Sequence, residues 1–150
     1  MIQSSADAEK SFVAERILIW MIQKPEANMK WEIKEGIPIY TQLVQQMKSG
    51  IASGEYSPGS RMPSVRDLAM EAGVNPNTMQ RALAELERNG LVFTERTSGR
   101  FITEDNKLLA GLRSDLAAEH IGGMFEQLRK LGMDDQEIVR SVKHWAGEVE

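Results

Sequence analysis

The side chains best suited to chemistry in this sequence are concentrated between positions 75 and 88. At about 100° per residue, the following residues share one face of a helix or flank it: Asn77, Thr78, Gln80, Arg81, Ala84 and Arg88. Arginine can donate to O6 and N7 of guanine, asparagine and glutamine can pair with adenine, and alanine can touch the methyl group of thymine. The face therefore predicts base contacts in the DNA major groove, although a polar helix face by itself is more often solvated surface.

Three arginines outside this face are suited to hold the DNA backbone. Arg66, Arg96 and Arg100 carry planar guanidinium groups whose donors match phosphate oxygens and require no particular base. Gly99 would let the backbone approach DNA closely, or it is simply a turn glycine. We expect phosphate contacts from these arginines, with ordinary surface charge as the alternative.

Helix signals surround the candidate residues. An apolar stripe with spacings of four and three residues predicts a first helix over 39–53. Ser64 can cap a second helix, and Asn75, followed by Pro76, can cap a third. Gly73 separates the second and third helices. The side of the third helix expected to be buried consists of Met79, Ala82, Leu83 and Leu86.

After residue 90 the apolar pattern changes to alternation, which predicts a β-hairpin with a turn at Thr97, Ser98 and Gly99. A short strand around Arg61 precedes the second helix. Helix, short turn, helix and hairpin together form a winged helix-turn-helix, in which the second helix of the pair enters the major groove. The predicted fold class is mainly α with a small β-hairpin wing and a C-terminal two-helix dimerisation segment.

The C-terminal segment is helical from about Lys107. Gly122 and Gly123 interrupt its apolar pattern and predict a kink or a close helix crossing. Asp134 and Glu137 form an acidic capping box for a last helix, whose apolar repeat is Ile138, Val142, Trp145 and Val149. The tail carries more apolar side chains than two helices can bury by themselves, so we expect a homodimer. The expected interface consists of Leu109, Leu112, Leu116, Met124, Leu128 and Trp145.

The motifs in the middle of the chain resemble the GntR family of bacterial transcription regulators, in particular its small YtrA-like branch. They are PIYTQL (38–43), SGEYSPGSRMPSVRDLA (53–69), GVNPNTMQRALAELERNGLV (73–92) and SGRFIT (98–103). The resemblance implies a homodimeric regulator, usually a repressor, and points to transporter operons. The residues it implies in DNA binding, together with the wing arginines, are Ser64, Arg66, Asn75, Asn77, Thr78, Gln80, Arg81, Arg96, Ser98, Gly99 and Arg100.

Three segments follow from this organisation. Residues 1–30 are an N-terminal extension of uncertain role, residues 31–104 are the winged helix-turn-helix domain, and residues 105–150 are the dimerisation segment. Two helices cannot readily enclose a pocket of several hundred Å³, so dimerisation is favoured over metabolite sensing, and an effector remains unknown.

Composition limits the other functions. The net charge is −4, but residues 37–103 carry seven lysines and arginines against six acidic residues, so the acidity does not exclude DNA binding there. The absence of cysteine and of a long apolar run favours a cytoplasmic protein without a membrane span. His120 and His144 are the only histidines and lie in separate helices, so we expect no catalytic residue, no metal and no cofactor.

The favoured function is therefore a homodimeric transcription repressor that binds double-stranded DNA at an inverted-repeat operator. The alternative is a protein-interaction adaptor that uses the same winged fold without DNA. For an adaptor, the outward face of the third helix should be apolar or acidic. Asn77, Gln80 and Arg81 are polar or basic, which favours DNA binding.

Overall fold

The computed structural model of the protein describes residues 29–148, together with positions 8, 11, 14 and 15. The chain divides into two compact units, residues 1–32 and residues 33–150. The second unit contains α1 (Ile39–Ser53), α2 (Val65–Ala72), α3 (Pro76–Arg88), β1 (Val92–Glu95), β2 (Gly99–Ile102), α4 (Asn106–Lys130) and α5 (Asp135–Trp145). Its helices and single hairpin confirm the predicted fold class within the described residues. Most of the predicted N-terminal extension lies outside them.

Helices α2 and α3 begin at the predicted caps. The Ser64 hydroxyl accepts a hydrogen bond from the backbone N–H of Asp67 at 3.1 Å, and the Asn75 carboxamide oxygen accepts from the N–H of Asn77 at 2.8 Å. Pro76 occupies the first turn of α3, where its missing N–H breaks no helical hydrogen bond. Gly73 ends α2 with φ +68°, a conformation that glycine adopts without strain. These local interactions explain two short helices separated by a tight turn.

The hydrophobic core lies where α1, α2 and α3 meet the wing. Its largest fully buried side chains come from all of these elements: Leu43, Met47, Leu68, Met79, Leu83, Leu86, Val92 and Ile102. The four residues predicted to form the buried side of α3 are each 0% exposed. Since one face of α3 is packed completely, its opposite face is directed away from the core.

The wing is an antiparallel hairpin in which Val92 pairs with Ile102 and Thr94 with Arg100. Its turn comprises residues 96–98, one position earlier than predicted. The reason is that Gly99 already pairs with Glu95 as the first residue of β2.

A third segment, residues 59–62, runs along the free edge of β2. Arg61 forms an antiparallel bridge with Phe101, and the N–H of Met62 donates to the carbonyl oxygen of Arg100 at 2.8 Å. The short strand expected around Arg61 is thus a single bridge supported by neighbouring backbone hydrogen bonds. Because this segment leads directly into α2, it ties the wing to the helix pair.

The wing sheet has two faces, since paired residues project to the same side and successive residues alternate. The inner face, toward the core, carries Met62, Val92, Thr94, Arg100 and Ile102. The outer face carries Arg61, Phe93, Glu95, Gly99 and Phe101. On the outer face the rings of Phe93 and Phe101 stack with centroids 5.8 Å apart.

Helix α4 runs from Asn106 to Lys130, so Gly122 and Gly123 do not end it, and a kink at these glycines stays a prediction. Its N-terminus is capped by Asp105, which accepts from two backbone N–H groups at 3.1 Å each. Two glycines cost about 1 kcal/mol each relative to alanine, which a well-capped 25-residue helix can absorb. Within the described part of the chain, no close crossing occurs either, because a Cβ at Gly122 or Gly123 would have no neighbour within 4 Å.

Helix α5 follows α4 after a short turn and begins with the predicted capping box. Asp134 and Glu137 exchange hydrogen bonds with each other's backbone N–H groups, both at 2.9 Å. Arg129 braces the turn through hydrogen bonds to both carboxylate oxygens of Asp135, at 2.8 and 2.9 Å. Helix α5 ends at Trp145, and Val149, expected on the same face, lies outside the described residues.

Candidate nucleic-acid interface

The face of α3 predicted to read DNA is exposed. Asn77, Gln80, Arg81 and Arg88 are exposed, and Thr78 and Ala84 are half-buried at its margins. The capped N-terminus of α3 begins this face, so its polar side chains lie at the positive end of the helix dipole. The geometry is suited to hydrogen bonding with base edges and phosphate oxygens.

Arg81 has a partner that its sequence position does not reveal. Its guanidinium carbon lies 4.2 Å from the ring centroid of Tyr40 in α1. The Tyr40 hydroxyl in turn donates to Glu85 at 3.2 Å, and Glu85 forms an ion pair with Arg88. In this structure Arg81 therefore holds α3 against α1, and a contact to guanine would require it to leave the ring or to reach the base from there.

Arg100 and Gln80, predicted as separate DNA contacts, meet each other. Arg100 lies on the inner face of the wing, and its Nη2 donates to Oε1 of Gln80 at 3.3 Å. Its Nε is buried, with no hydrogen-bond partner among the described residues. Thr94, on the same face, donates to the carboxylate of Glu87. The wing is thus fastened to α3 at two places, and Arg100 projects toward α3 instead of extending freely toward a phosphate.

The helix caps use side chains that the resemblance implied in DNA binding. The side-chain oxygens of Ser64 and Asn75 each accept a backbone N–H at the start of their helices. Arg66 is exposed in the first turn of α2, where a guanidinium can reach outward without breaking a contact that holds the fold. Of these three residues, Arg66 has the geometry most suited to phosphate contact.

The wing tip presents Arg96 to solvent, whereas Ser98 is half-buried. Gly99 has φ +101°, and a Cβ there would lie 3.0 Å from Nε and 3.3 Å from Nη2 of Arg61. The space above Gly99 is therefore occupied by the Arg61 side chain. Sequence analysis did not select Arg61, although the short strand expected around it would have placed it beside the wing.

Comparisons with known proteins give this arrangement a family. The family described as bacterial regulatory proteins, gntR family, matches residues 39–102. The chain is also similar to the uncharacterized HTH-type transcriptional regulator YhcF of Bacillus subtilis, with 38% identity over 106 residues, which are 71% of this chain and 88% of that protein. This chain belongs to the GntR family.

Two further similarities support the GntR assignment. The HTH-type transcriptional repressor YtrA of Bacillus subtilis is 39% identical over 101 residues, 67% of this chain and 73% of that protein. The structure of a GntR family transcriptional regulator from Listeria monocytogenes superimposes with a TM-score of 0.68 at 35% identity, covering 79% of this chain and all of that one. This GntR protein is therefore a transcriptional regulator with a DNA-binding helix-turn-helix, and its relatives are regulators, not enzymes.

The tail of this GntR protein buries only part of its apolar surface. Of the residues predicted to form a dimer interface, Leu116 is buried, and Leu109, Leu112 and Leu128 are half-buried. Met124 and Trp145 are exposed, Trp145 by 89%. Further exposed apolar side chains on this tail, outside the predicted interface, are Ile121, Leu131, Val139 and Val142. Of these, Val142 belongs to the apolar repeat predicted for the last helix.

An open cavity of about 470 Å³ lies where α1 and the end of α3 meet the start of α4. Its walls include Lys48, Asn89, Leu91, Lys107, Leu112 and Asp115. The two tail helices do not enclose this volume by themselves, because Lys48, Asn89 and Leu91 supply part of the walls and the cavity is open.

In the part of the chain that the structure describes, no three side chains of histidine, aspartate or glutamate are placed to hold a metal ion. None of the helices in that part has the length and apolar character needed to cross a membrane.

Proposed function

We propose that this GntR regulator is a homodimeric repressor that acts in the cytoplasm on an inverted-repeat operator. The observation that carries the proposal is the exposed polar face of α3, which is braced by α1 on one side and the wing on the other. A braced helix presents its side chains to the major groove at little further ordering cost. The similar YtrA protein of Bacillus subtilis is named a repressor, which supports the direction of regulation.

In this proposal residues 31–104 bind DNA, and the contacts fall into two groups. Asn77, Thr78, Gln80 and Arg81 contact base edges, and the remaining residues contact phosphates or orient the contacting groups. This second group consists of Ser64, Arg66, Asn75, Arg96, Ser98, Gly99 and Arg100. Arg100 belongs to it chiefly through its hydrogen bond to Gln80.

Residues 105–150 form the dimer in this proposal. The exposed apolar side chains of α4 and α5 would be covered by the same surface of a second copy, since two-fold dimers use self-complementary patches. Trp145 is the most exposed of them and contributes little to the folding of its own chain. Its removal should therefore affect association more than folding.

The dimer is tested by comparing Trp145→Ser with Lys143→Ser in sedimentation equilibrium. Lys143 lies about 200° around α5 from Trp145, so it is a matched control on the opposite face. We expect Trp145→Ser to raise the dimer dissociation constant at least tenfold, while Lys143→Ser leaves it unchanged. Equal dissociation constants for Trp145→Ser and the wild type would contradict the assigned surface.

Repression is tested by deleting the gene and measuring transcripts beside the sites that the protein occupies on the chromosome. A repressor predicts that these transcripts rise on deletion and fall when the gene is restored. A fall on deletion would identify an activator. Absence of any occupied site would favour the protein-interaction adaptor.

A further inference from the structure

Arg61 lies beside the tip of the wing, where it pairs with Phe101 and its guanidinium lies over Gly99. We propose that Arg61 contacts the DNA phosphate backbone beside the wing tip. The proposal rests on the DNA-binding function and adds a residue to it.

Arg61 lies next to the wing tip and close in sequence to the start of α2. Arg61 pairs with Phe101 through the edge segment of the wing, and its guanidinium packs over Gly99, the residue that follows the tip turn. Three residues further on, Ser64 begins α2, whose first turn carries Arg66. Arg61 therefore stands between two regions, the wing tip and the start of α2, that flank the exposed N-terminal part of α3.

Side chains alternate between the two faces of the wing sheet, which places Arg61 and Arg100 on opposite faces. Arg61 is on the outer face, whereas Arg100 is on the inner face with its guanidinium directed at Gln80. Because the register of β2 places Arg100 on the inner face, the outward-facing cation at this end of the sheet is Arg61, from the neighbouring segment 59–62. The sequence alone suggested Arg100 for the phosphate contact, and the pairing register favours Arg61.

The Arg61 guanidinium is available to bind an anion. Arg61 is exposed, and in the described residues the ion pairs are Arg88 with Glu85 and Arg129 with Asp135, so Arg61 is in neither. Glu95 shares the outer face, opposite Gly99, and is the nearest acidic residue in the register, yet it forms no ion pair with Arg61. A guanidinium that is packed on a glycine and has no carboxylate partner is suited to bind a phosphate in a fixed orientation.

Gly99 is part of the same arrangement. Any larger residue there would place its Cβ against the Arg61 guanidinium and would also have to adopt φ +101°. Because Gly99 has no side chain, it leaves room for the Arg61 guanidinium. This explains the glycine in the Ser-Gly-Arg sequence of the wing.

The test measures DNA affinity at several salt concentrations for the full-length protein, Arg61→Ala, Arg61→Lys and the control Arg140→Ala. The Arg140→Ala control removes the same charge, but Arg140 lies in α5, outside the winged domain. Affinity is measured on two duplexes. One carries a sequence that the protein selects from a random library, and the other carries a scrambled sequence. Thermal unfolding of each variant identifies any loss of folded protein before binding is compared.

A phosphate contact predicts a smaller salt slope in Arg61→Ala, by about 0.9 per contact. The affinity advantage of the wild type over Arg61→Ala should then be about 3.5-fold larger at 50 mM than at 200 mM salt for one contact, and about 12-fold larger for two. The loss should be similar on both duplexes, because phosphates carry no sequence information. Arg61→Lys should keep the wild-type slope, and Arg140→Ala should match the wild type throughout.

A wild-type salt slope in Arg61→Ala would overturn the proposal and leave Arg61 as packing for Gly99. A loss confined to the selected sequence would also overturn it, since that result indicates base reading. Absence of DNA binding by the wild type would instead overturn the proposed function, so the two failures are distinct.

Discussion

Arg81 stacks on Tyr40, so it either reads a base or holds α3 in position. The direction in which substitutions of the two residues change operator affinity distinguishes these roles. In the free protein the guanidinium lies 4.2 Å from the ring centroid, and such a contact at an exposed site is worth about 0.5–1 kcal/mol. A bidentate contact to guanine discriminates by about 1–3 kcal/mol. If Arg81 leaves the ring to read a base, the net gain at the midpoint of these ranges is about 1.25 kcal/mol, or about eightfold per half-site.

Arg81→Ala should therefore weaken binding to the selected operator by about eightfold per half-site and change binding to random DNA little. Tyr40→Leu should have the opposite sign, because it frees Arg81 from the ring and removes a cost of about 0.75 kcal/mol, which corresponds to about threefold tighter operator binding. Fluorescence anisotropy with labelled operator and scrambled duplexes measures both effects. The temperature is kept well below the melting point of each variant.

The reasoning fails if Tyr40→Leu weakens binding as much as Arg81→Ala does on both duplexes. That outcome would mean that Arg81 serves to hold α3 against α1 and reads no base. Gln80 and Asn77 would then be the principal reading residues of the exposed face.

Three further predictions follow from the caps, the wing and the tail. Asn75→Ala should lower the free energy of unfolding in urea by about 1 kcal/mol because it removes the α3 cap, whereas Asn77→Ala should change stability by less than about 0.5 kcal/mol yet lose operator affinity. Arg100→Ala should reduce discrimination at the base pair that Gln80 contacts, measured with single-base operator variants, and an unchanged profile would contradict its orienting role. The hydrogen bond and charge of Arg129 hold the pKa of Asp135 below its ordinary value, so this stabilisation is present above about pH 3.9 and is lost as pH falls through the lowered folded pKa. Arg129→Gln should therefore be less stable than the wild type at pH 7, and the difference should shrink as the pH falls below about 3.9, as followed by urea unfolding across pH.

Local signals explain why most of the fold could be predicted. Ser64, Asn75 and Asp134 each begin a helix in the structure as predicted, because capping depends on residues only two or three positions away. The buried side of α3 was also predictable, since a 3.6-residue period places its apolar residues together. The glycine pair suggested a close helix crossing that does not occur there, and it does not end α4, because its propensity penalty is small for a helix of this length with a good cap.

The interactions around the candidate interface could not be predicted in the same way. Tyr40 and Arg81 are 41 positions apart, and they meet only because α1 and α3 pack together. The inward direction of Arg100 and the outward direction of Arg61 depend on the pairing register, which a one-residue shift would reverse. Residue type thus identified candidates for DNA contact, while their orientation required the tertiary structure.

The central claim, that a dimer of this protein reads DNA sequence through α3, is tested most directly by selecting bound duplexes from a randomised library and measuring the stoichiometry of the selected complex. We predict enrichment of an inverted repeat whose half-sites are centred about one helical turn, or a multiple of it, apart, bound by two protomers. The Asn77→Ala variant should select a repeat that is degenerate at the same position in both half-sites. A library that shows no enrichment, or an enriched single site bound by one protomer, would contradict the account.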